Sequence, residues 1–91
     1  MQNKHYKESA MQALQVMQTM MTKEQFVGFL LGNEIKYRMR SKFKGQEEAD
    51  LEKAKDYNYW RFLVLCGFEI DPEKHIRPES WEYKLVLSEV F

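Results

Sequence analysis

A short stretch near the middle of the chain carries residue types that suit a phosphorylated, aromatic ligand. Asn33, Lys36, Tyr37 and Arg40 stand at positions i, i+3, i+4 and i+7, so they share one face if the stretch is helical. The two cations can pair with phosphate, the ring can stack on a base, and the amide can read a base edge. The same face also suits partial burial, with Tyr37 packed and the cations in ordinary ion pairs. Spacing leaves both interpretations open.

A second segment repeats this spacing. Asp50, Lys53, Ala54 and Tyr57 again stand at i, i+3, i+4 and i+7. If the two segments form an antiparallel hairpin, Arg40 lies near the start of the second one, and Asp50 is its expected ion-pair partner. Such a pair would be structural and would orient the guanidinium. Lys53 and Tyr57 can face either a ligand or solvent.

Positive charge is concentrated in the second half of the first segment and in the residues just after it. The five basic residues of this cluster are Lys36, Arg38, Arg40, Lys42 and Lys44. The whole chain has 14 basic and 14 acidic residues and a net charge of zero, which argues against a general nucleic-acid coat or a membrane-surface binder. We therefore expect a small phosphate-bearing partner, no long nucleic acid and no membrane. The alternative is that the acidic residues after the cluster neutralise it on the surface.

Residues typical of catalysis and metal binding are scarce. There is no Gly-rich Walker loop, GxSxG or HExxH motif and no pair of cysteines, so we predict no catalytic residue, no metal and no cofactor. Cys66 is expected as inert core at an apolar helix end, and His75 as a solvated residue. His5, beside Tyr6, can be a phosphate donor, a general acid or an exposed side chain. The single cysteine, with no leader peptide and no apolar stretch of membrane-spanning length, indicates a cytosolic protein.

The elements that must position these residues are helices. Apolar residues spaced three or four apart come after Ser9, which is a plausible N-cap for a first helix. Thr22 and Gln25 form a capping-box pattern that begins a second helix. No proline interrupts that helix before about Arg40.

A third helix and a hairpin complete the predicted core. Gly45 is available for a turn with positive φ, a helix runs from about Glu47 to Cys66, and Gly67 stops it. Its predicted buried stripe is Leu51, Ala54, Asn58, Phe62 and Leu65. The connection is short, so the second and third helices should be antiparallel. Gly28 and Gly32, four positions apart, favour close helix packing over the approach of a flat ligand.

The C-terminal part is less regular. Asp71-Pro72-Glu73-Lys74 predicts one short helical turn capped by Asp71. The segment 81–91 fits either a helix or a short strand, and helix is favoured because no other strand is predicted. We thus predict a single all-α domain over 1–91, with a helical hairpin core at 9–67 and a C-terminal extension at 68–91. Aromatic residues at 14% and six methionines favour a homo-oligomer, a dimer or tetramer, because so small a chain has little interior.

Four groups of residues carry a resemblance to a known family. They are His5-Tyr6, Met21-Thr22-x-Glu24-Gln25-Phe26-x-Gly28, Gly32-Asn33-x-Ile35-Lys36-Tyr37-Arg38-x-Arg40 and Leu51-Glu52-Lys53-Ala54-x-Asp56-Tyr57. In this order they resemble a family of small phage proteins catalogued as a domain of unknown function. A better-known member is a phage nucleoside-monophosphate kinase that lacks a Walker loop. The sequence is also similar to phage anti-CBASS sponge proteins, which bind cyclic nucleotide signals of bacterial immunity without cleaving them.

The resemblance implies a nucleotide site and a set of functions. The implied nucleotide-binding residues are His5, Tyr6, Asn33, Lys36, Tyr37, Arg40, Lys53 and Tyr57. The favoured function is sequestration of a cyclic or other signalling nucleotide in the cytosol of an infected bacterium, as a means of immune evasion. A kinase must also place a donor and stabilise phosphoryl charge, usually with magnesium, which a chain this small could do only between subunits. A nucleoside-monophosphate kinase is therefore the first alternative, and a phage protein that binds a host protein is the second.

Overall fold

The protein is all-α in the part of the chain that the structure describes. A computed structural model describes residues 2–42, 45 and 47–81, with side chains from Met11 onward. It contains α1 (Gln2–Met20), α2 (Lys23–Arg40) and α3 (Glu47–Leu65), and no strand within those residues. The second and third helices pack along each other as a hairpin. The predicted fold class and hairpin are confirmed.

The first helix begins earlier than the sequence pattern predicts. Ser9 is the expected N-cap, but α1 already runs from Gln2, so Ser9 lies inside the helix. Residues 2–8 contain no proline or glycine, and most of them are adequate helix formers. Because nothing there stops a helix, the possible cap at Ser9 goes unused.

The predicted ends of α2 and α3 are confirmed. The Thr22 hydroxyl accepts from the Gln25 N–H at 3.1 Å, and the Gln25 side chain accepts from the Thr22 N–H at 3.0 Å, which completes a capping box. After α3, Gly67 adopts φ 97°, and the N–H of Phe68 donates to the Leu63 carbonyl at 3.0 Å. This 6→1 bond is the mark of a Schellman stop. Gly45, with φ 67°, provides the turn between α2 and α3.

One apolar core joins all three helices to the chain beyond them. Its buried members are Leu14, Phe26, Val27, Leu30, Val64 and Ile70. The predicted role of Gly28 and Gly32 is wrong: a Cβ at either position would meet nothing within 4 Å, so neither glycine permits close helix packing. The opposite side of α2, which carries Phe26, Val27 and Leu30, faces the core instead, because large apolar side chains remove more surface from water than glycine does.

The buried face of α3 is also rotated relative to the predicted stripe. Its buried residues are Asp50, Ala54, Asn58, Arg61 and Val64. Leu51, Phe62 and Leu65 are only half-buried. Ala54 and Asn58 are buried as predicted, but the pattern misses Asp50 and Arg61 because charged residues are ordinarily assigned to the surface.

Residues 68–81, here called the strap, run back along the helices without forming one. Gln18 holds one end through two bonds to Ile70, with its Nε2 donating to the carbonyl at 2.9 Å and its Oε1 accepting from the N–H at 2.8 Å. The predicted turn at Asp71 is present, since its Oδ1 accepts from the Glu73 N–H at 3.1 Å and its carbonyl accepts from the Lys74 N–H at 2.9 Å. The helix-or-strand question for 82–91 lies outside the described residues.

Candidate functional site

A cavity of about 310 Å³ lies between the helices and the strap. The residues that line it are Met11 and Leu14 of α1, Tyr37 of α2, Lys53, Asp56, Tyr57 and Trp60 of α3, and Pro72, His75, Ile76 and Arg77 of the strap. Three aromatic side chains and several aliphatic ones form most of this surface, and a few charged groups interrupt it. An apolar cavity with a few converging polar groups is the usual form of a small-molecule site.

Tyr37 is the centre of the charged part of this site. Its ring stacks on Tyr57 with centroids 5.9 Å apart and an interplanar angle of 11°. Lys36 Nζ lies 4.6 Å, Lys53 Nζ 5.2 Å and Arg40 Cζ 5.5 Å from the centroid of the Tyr37 ring. Cation–π attraction holds each cation near the ring. Three like charges so close repel one another, so an anion placed among them would be stabilised.

The hairpin brings together most of the residues predicted from sequence. Those that converge on the cavity or on the Tyr37 ring are Lys36, Tyr37, Arg40, Lys53 and Tyr57. Asn33 does not join them, because its Nδ2 donates to the Phe29 carbonyl one turn back in α2 at 3.0 Å. Asn33 therefore satisfies a backbone carbonyl of its own helix. His5 and Tyr6 lie on α1, and their side chains are outside the described part of the structure, as is Lys44 of the basic cluster.

The expected ion pair between Arg40 and Asp50 is not formed. Asp50 is buried, whereas Arg40 is exposed beside the Tyr37 ring. Among the described residues, no acidic group lies within ion-pair distance of Lys36, Arg40 or Lys53. The three cations beside Tyr37 are therefore available to an anionic ligand.

The strap supplies a wall that sequence reasoning missed. His75 is expected to be solvated, but it is half-buried, its Nδ1 accepts from the Asp71 N–H at 2.8 Å, and its carbonyl accepts from Trp60 Nε1 at 3.1 Å. Arg77 Nε donates to Asp56 Oδ1 at 2.9 Å, and its Nη2 donates to Glu52. These partners are separated by 21 and 25 positions along the chain, so no local pattern could have paired them.

The two carboxylates also fix the charge state of Arg77. Burial by itself would lower the pKa of this guanidinium, but the hydrogen bonds and negative charges of Asp56 and Glu52 outweigh burial and raise the pKa above its usual value. Arg77 is thus a permanent cation whose charge is largely balanced by its two neighbours. The uncompensated positive charge of the site lies at its Tyr37 end.

A buried ion pair holds the hairpin in register beneath this site. Arg61 Nη2 donates to Glu34 Oε1 at 2.9 Å, with the two residues 0% and 1% exposed. Asn58 Nδ2 donates to Glu34 Oε2 at 3.3 Å, and its Oδ1 accepts from Trp81 Nε1 at 3.2 Å. Because these bonds join α2 to α3 close to Tyr37 and Tyr57, we assign them a structural role that aligns the two rings.

Three further sequence predictions concern Cys66, metal binding and membrane insertion. Cys66 is exposed, so its predicted place in the core is wrong; it lies just past the last residue of α3, where the Gly67 stop turns the chain. Residues 2–42, 45 and 47–81 hold no group of three or more His, Cys, Asp or Glu side chains arranged to bind a metal. None of the three helices is both long and apolar enough to cross a bilayer.

Comparison with known proteins identifies the family. No curated protein and no solved structure matches the chain. Residues 1–59 match a family described as protein of unknown function (DUF3310). The matched part includes all of α1 and α2 and every site residue predicted from sequence, whereas the strap lies beyond it. Since the match covers well over half of the 91 residues, the chain belongs to the DUF3310 family of proteins of unknown function.

Proposed function

We propose that this protein is a phage nucleotide-binding protein that sequesters a signalling nucleotide of bacterial immunity without transforming it. The observation that carries the proposal is the cavity at Tyr37, where stacked rings adjoin three cations that have no carboxylate partner within the described residues. Phosphate would bind among the cations, and the base would enter the aromatic part of the cavity beside Tyr57 and Trp60. The phage origin and the immune role rest on the family resemblance of the sequence.

The size of the cavity limits what one subunit can hold. At about 310 Å³ it stands at the lower end of the roughly 300–1,000 Å³ range of small-molecule pockets. That volume suits one mononucleotide unit. A cyclic dinucleotide would then have to span the sites of two subunits, with one base in each cavity.

We also propose a homo-oligomer, which such a shared site requires. Several large apolar side chains are exposed on the described surface, namely Val16, Met20, Ile35, Met39, Phe68 and Ile76. Light scattering at micromolar concentration should give a multiple of the 11.0 kDa chain mass. A mass of one chain would refute the oligomer and, with it, the shared dinucleotide site.

Two other functions have specific support. A nucleoside-monophosphate kinase would use the mononucleotide-sized cavity for its acceptor. Sequestration is favoured over it because a kinase must also hold a donor nucleotide, and a cavity of about 310 Å³ suits one mononucleotide unit. A protein that binds a host protein would bury some of the exposed apolar side chains, such as Ile35 and Met39 of α2, in the interface.

One experiment separates these functions. The purified protein is incubated with cyclic dinucleotides, cyclic mononucleotides and nucleoside monophosphates, the latter with and without ATP and magnesium. The protein is then washed, denatured and analysed by chromatography. Intact nucleotide released only on denaturation supports sequestration, and a newly phosphorylated product establishes a kinase instead. Retention of none of them removes the nucleotide proposal and leaves the host-protein function.

A double variant tests whether the retained ligand occupies the proposed site. Lys36→Ala combined with Arg40→Ala removes two of the three cations beside Tyr37 and should abolish retention. Lys23→Ala is the matched control, since Lys23 is an exposed lysine at the start of α2 and far along the helix from Tyr37. Equal retention by the double variant and the control would place the ligand elsewhere.

A further inference from the structure

The strap closes one side of the cavity, so a ligand held there lies between it and the hairpin. Pro72, His75, Ile76 and Arg77 line the cavity opposite Tyr37 and Tyr57. The strap lies beyond the residues that match the family, which end at position 59. This wall of the cavity therefore comes from residues C-terminal to the matched family region.

The strap is anchored more firmly at its two ends than in its middle. Its start is secured by burial of Ile70 and Pro72 and by the two bonds to Gln18. Its end is secured by Trp81, which donates to Asn58 and packs on Tyr59 and Phe62. Between these anchors most side chains are exposed, namely Glu73, Lys74, Ile76, Pro78, Glu79 and Ser80.

Two polar attachments hold the middle of the strap against α3. One is the bond from Trp60 Nε1 to the His75 carbonyl at 3.1 Å, and the other is the double ion pair of Arg77 with Asp56 and Glu52. The side chains of Asp56 and Glu52 are 40% and 57% exposed, so solvent screens both pairs, and each contributes weakly. With so little apolar burial between the anchors, the middle of the strap can detach while the helices stay folded.

We propose that residues 73–78 are a lid whose detachment from α3 widens the cavity and speeds the entry and release of a ligand, and that Arg77 is the latch of this lid. This inference rests on the proposed nucleotide binding at Tyr37 and adds a control on the lifetime of the complex. In the closed lid, Arg77 and His75 cover the ligand from the strap side. Opening breaks the Arg77 ion pairs and the Trp60–His75 bond and leaves the Tyr37 cations in place.

Arg77→Gln and its control, Lys74→Gln, test the latch. Both substitutions remove one positive charge from the strap, but Lys74 is exposed and, within the described residues, contacts no carboxylate. Loss of two screened ion pairs should raise the open population of the lid roughly 2- to 30-fold. In the ligand-free protein, hydrogen exchange of the Trp60 indole N–H, which donates to the His75 carbonyl, should be faster by this factor in Arg77→Gln, with the backbone amides of α2 and α3 unchanged and with Lys74→Gln like the wild type.

Ligand release is measured on the same variants. AMP, GMP, CMP and UMP are each bound to the protein and diluted out, and the change in tryptophan fluorescence gives the dissociation rate, since Trp60, one of the two tryptophans, lines the cavity. Ligand dissociation from Arg77→Gln should be faster by the same factor as the hydrogen exchange that reports opening of the lid. Ligand dissociation from Lys74→Gln should be unchanged. Binding by the wild type with equal release rates in all three proteins would refute the latch alone. Failure of the wild type to bind any of the four nucleotides would refute the mononucleotide site itself, and the latch with it.

Discussion

The buried pair of Glu34 and Arg61 should respond unequally to the loss of either partner. After Glu34→Gln, Arg61 is a buried cation, and the described residues offer no anion to neutralise it. Arg61→Met leaves Glu34 with the Asn58 amide at 3.3 Å and with Arg38 Nε at 3.9 Å. The Arg38 side chain is 32% exposed and can move toward the carboxylate. The anion therefore keeps partners when the pair is broken, and the cation does not.

This asymmetry sets the expected losses of stability. Removing one partner of a buried ion pair costs about 3–5 kcal/mol, and Glu34→Gln should reduce the free energy of unfolding by that amount. Arg61→Met should cost less, about 1.5–3 kcal/mol, as expected for loss of one charge-assisted hydrogen bond. Replacing both residues by apolar ones, as in Glu34→Leu with Arg61→Met, removes both buried charges and should cost less than Glu34→Gln alone.

Urea unfolding measures these differences as shifts of the transition midpoint at constant slope. In a domain of this length, each kcal/mol corresponds to roughly 4–8 °C in melting temperature, so Glu34→Gln should be evident by thermal unfolding as well. The effects of substituting two residues in contact are not expected to be additive. Equal losses in the two single variants, or a double variant whose loss is the sum of the two, would refute the argument that an unpaired buried charge dominates.

Three further predictions concern the ligand site and the helix that carries it. Lys36→Ala and Arg40→Ala should each weaken nucleotide binding by about 1.5–3 kcal/mol in calorimetry without lowering the melting temperature; normal binding by both would make the basic cluster a solvated surface. Tyr37→Ala should weaken nucleotide binding by roughly 0.5–2 kcal/mol, because its ring holds the three cations by cation–π attraction, while Tyr37→Phe, which keeps a ring, should keep most of the affinity. The alanine variant should also lose about 0.5–1.5 kcal/mol of stability from its stack on Tyr57; a larger loss, with affinity unchanged in the folded protein, would make Tyr37 ordinary core. Thr22→Ala should lower stability by about 1 kcal/mol through loss of the capping box, and an unchanged thermal midpoint would show that the cap contributes nothing.

Local features of the fold are predictable because their causes lie within a few positions. The capping box at Thr22 involves a residue three positions on, and the stop at Gly67 depends on a backbone conformation that glycine adopts readily. The wrong prediction for the start of α1 has a related cause. Ser9 is a possible cap, but a cap begins a helix only where the preceding residues disfavour one, and those at 2–8 do not.

The convergence of Lys36, Tyr37 and Arg40 with Lys53 and Tyr57 is also within reach of sequence. Equal spacing on two helices and a short connection allow the two sets to face each other, and the hairpin brings these five residues together, although Asn33 and Asp50 do not join them. That these residues bind a nucleotide stays a prediction.

The sequence alone determined the three helices, their order and the polar set on the facing sides of the hairpin, because each depends on spacing within a helix. Only the tertiary structure decided which face of α3 is buried, where the cavity lies and which residues close it. Glu34 and Arg61 are 27 positions apart, and Arg77 and Glu52 are 25 apart. Charged residues ordinarily lie on the surface, so a pattern of charges cannot show that Arg61 has a buried partner or that Arg77 reaches back to α3. Such contacts arise from how the hairpin and strap pack in three dimensions, which no local pattern specifies.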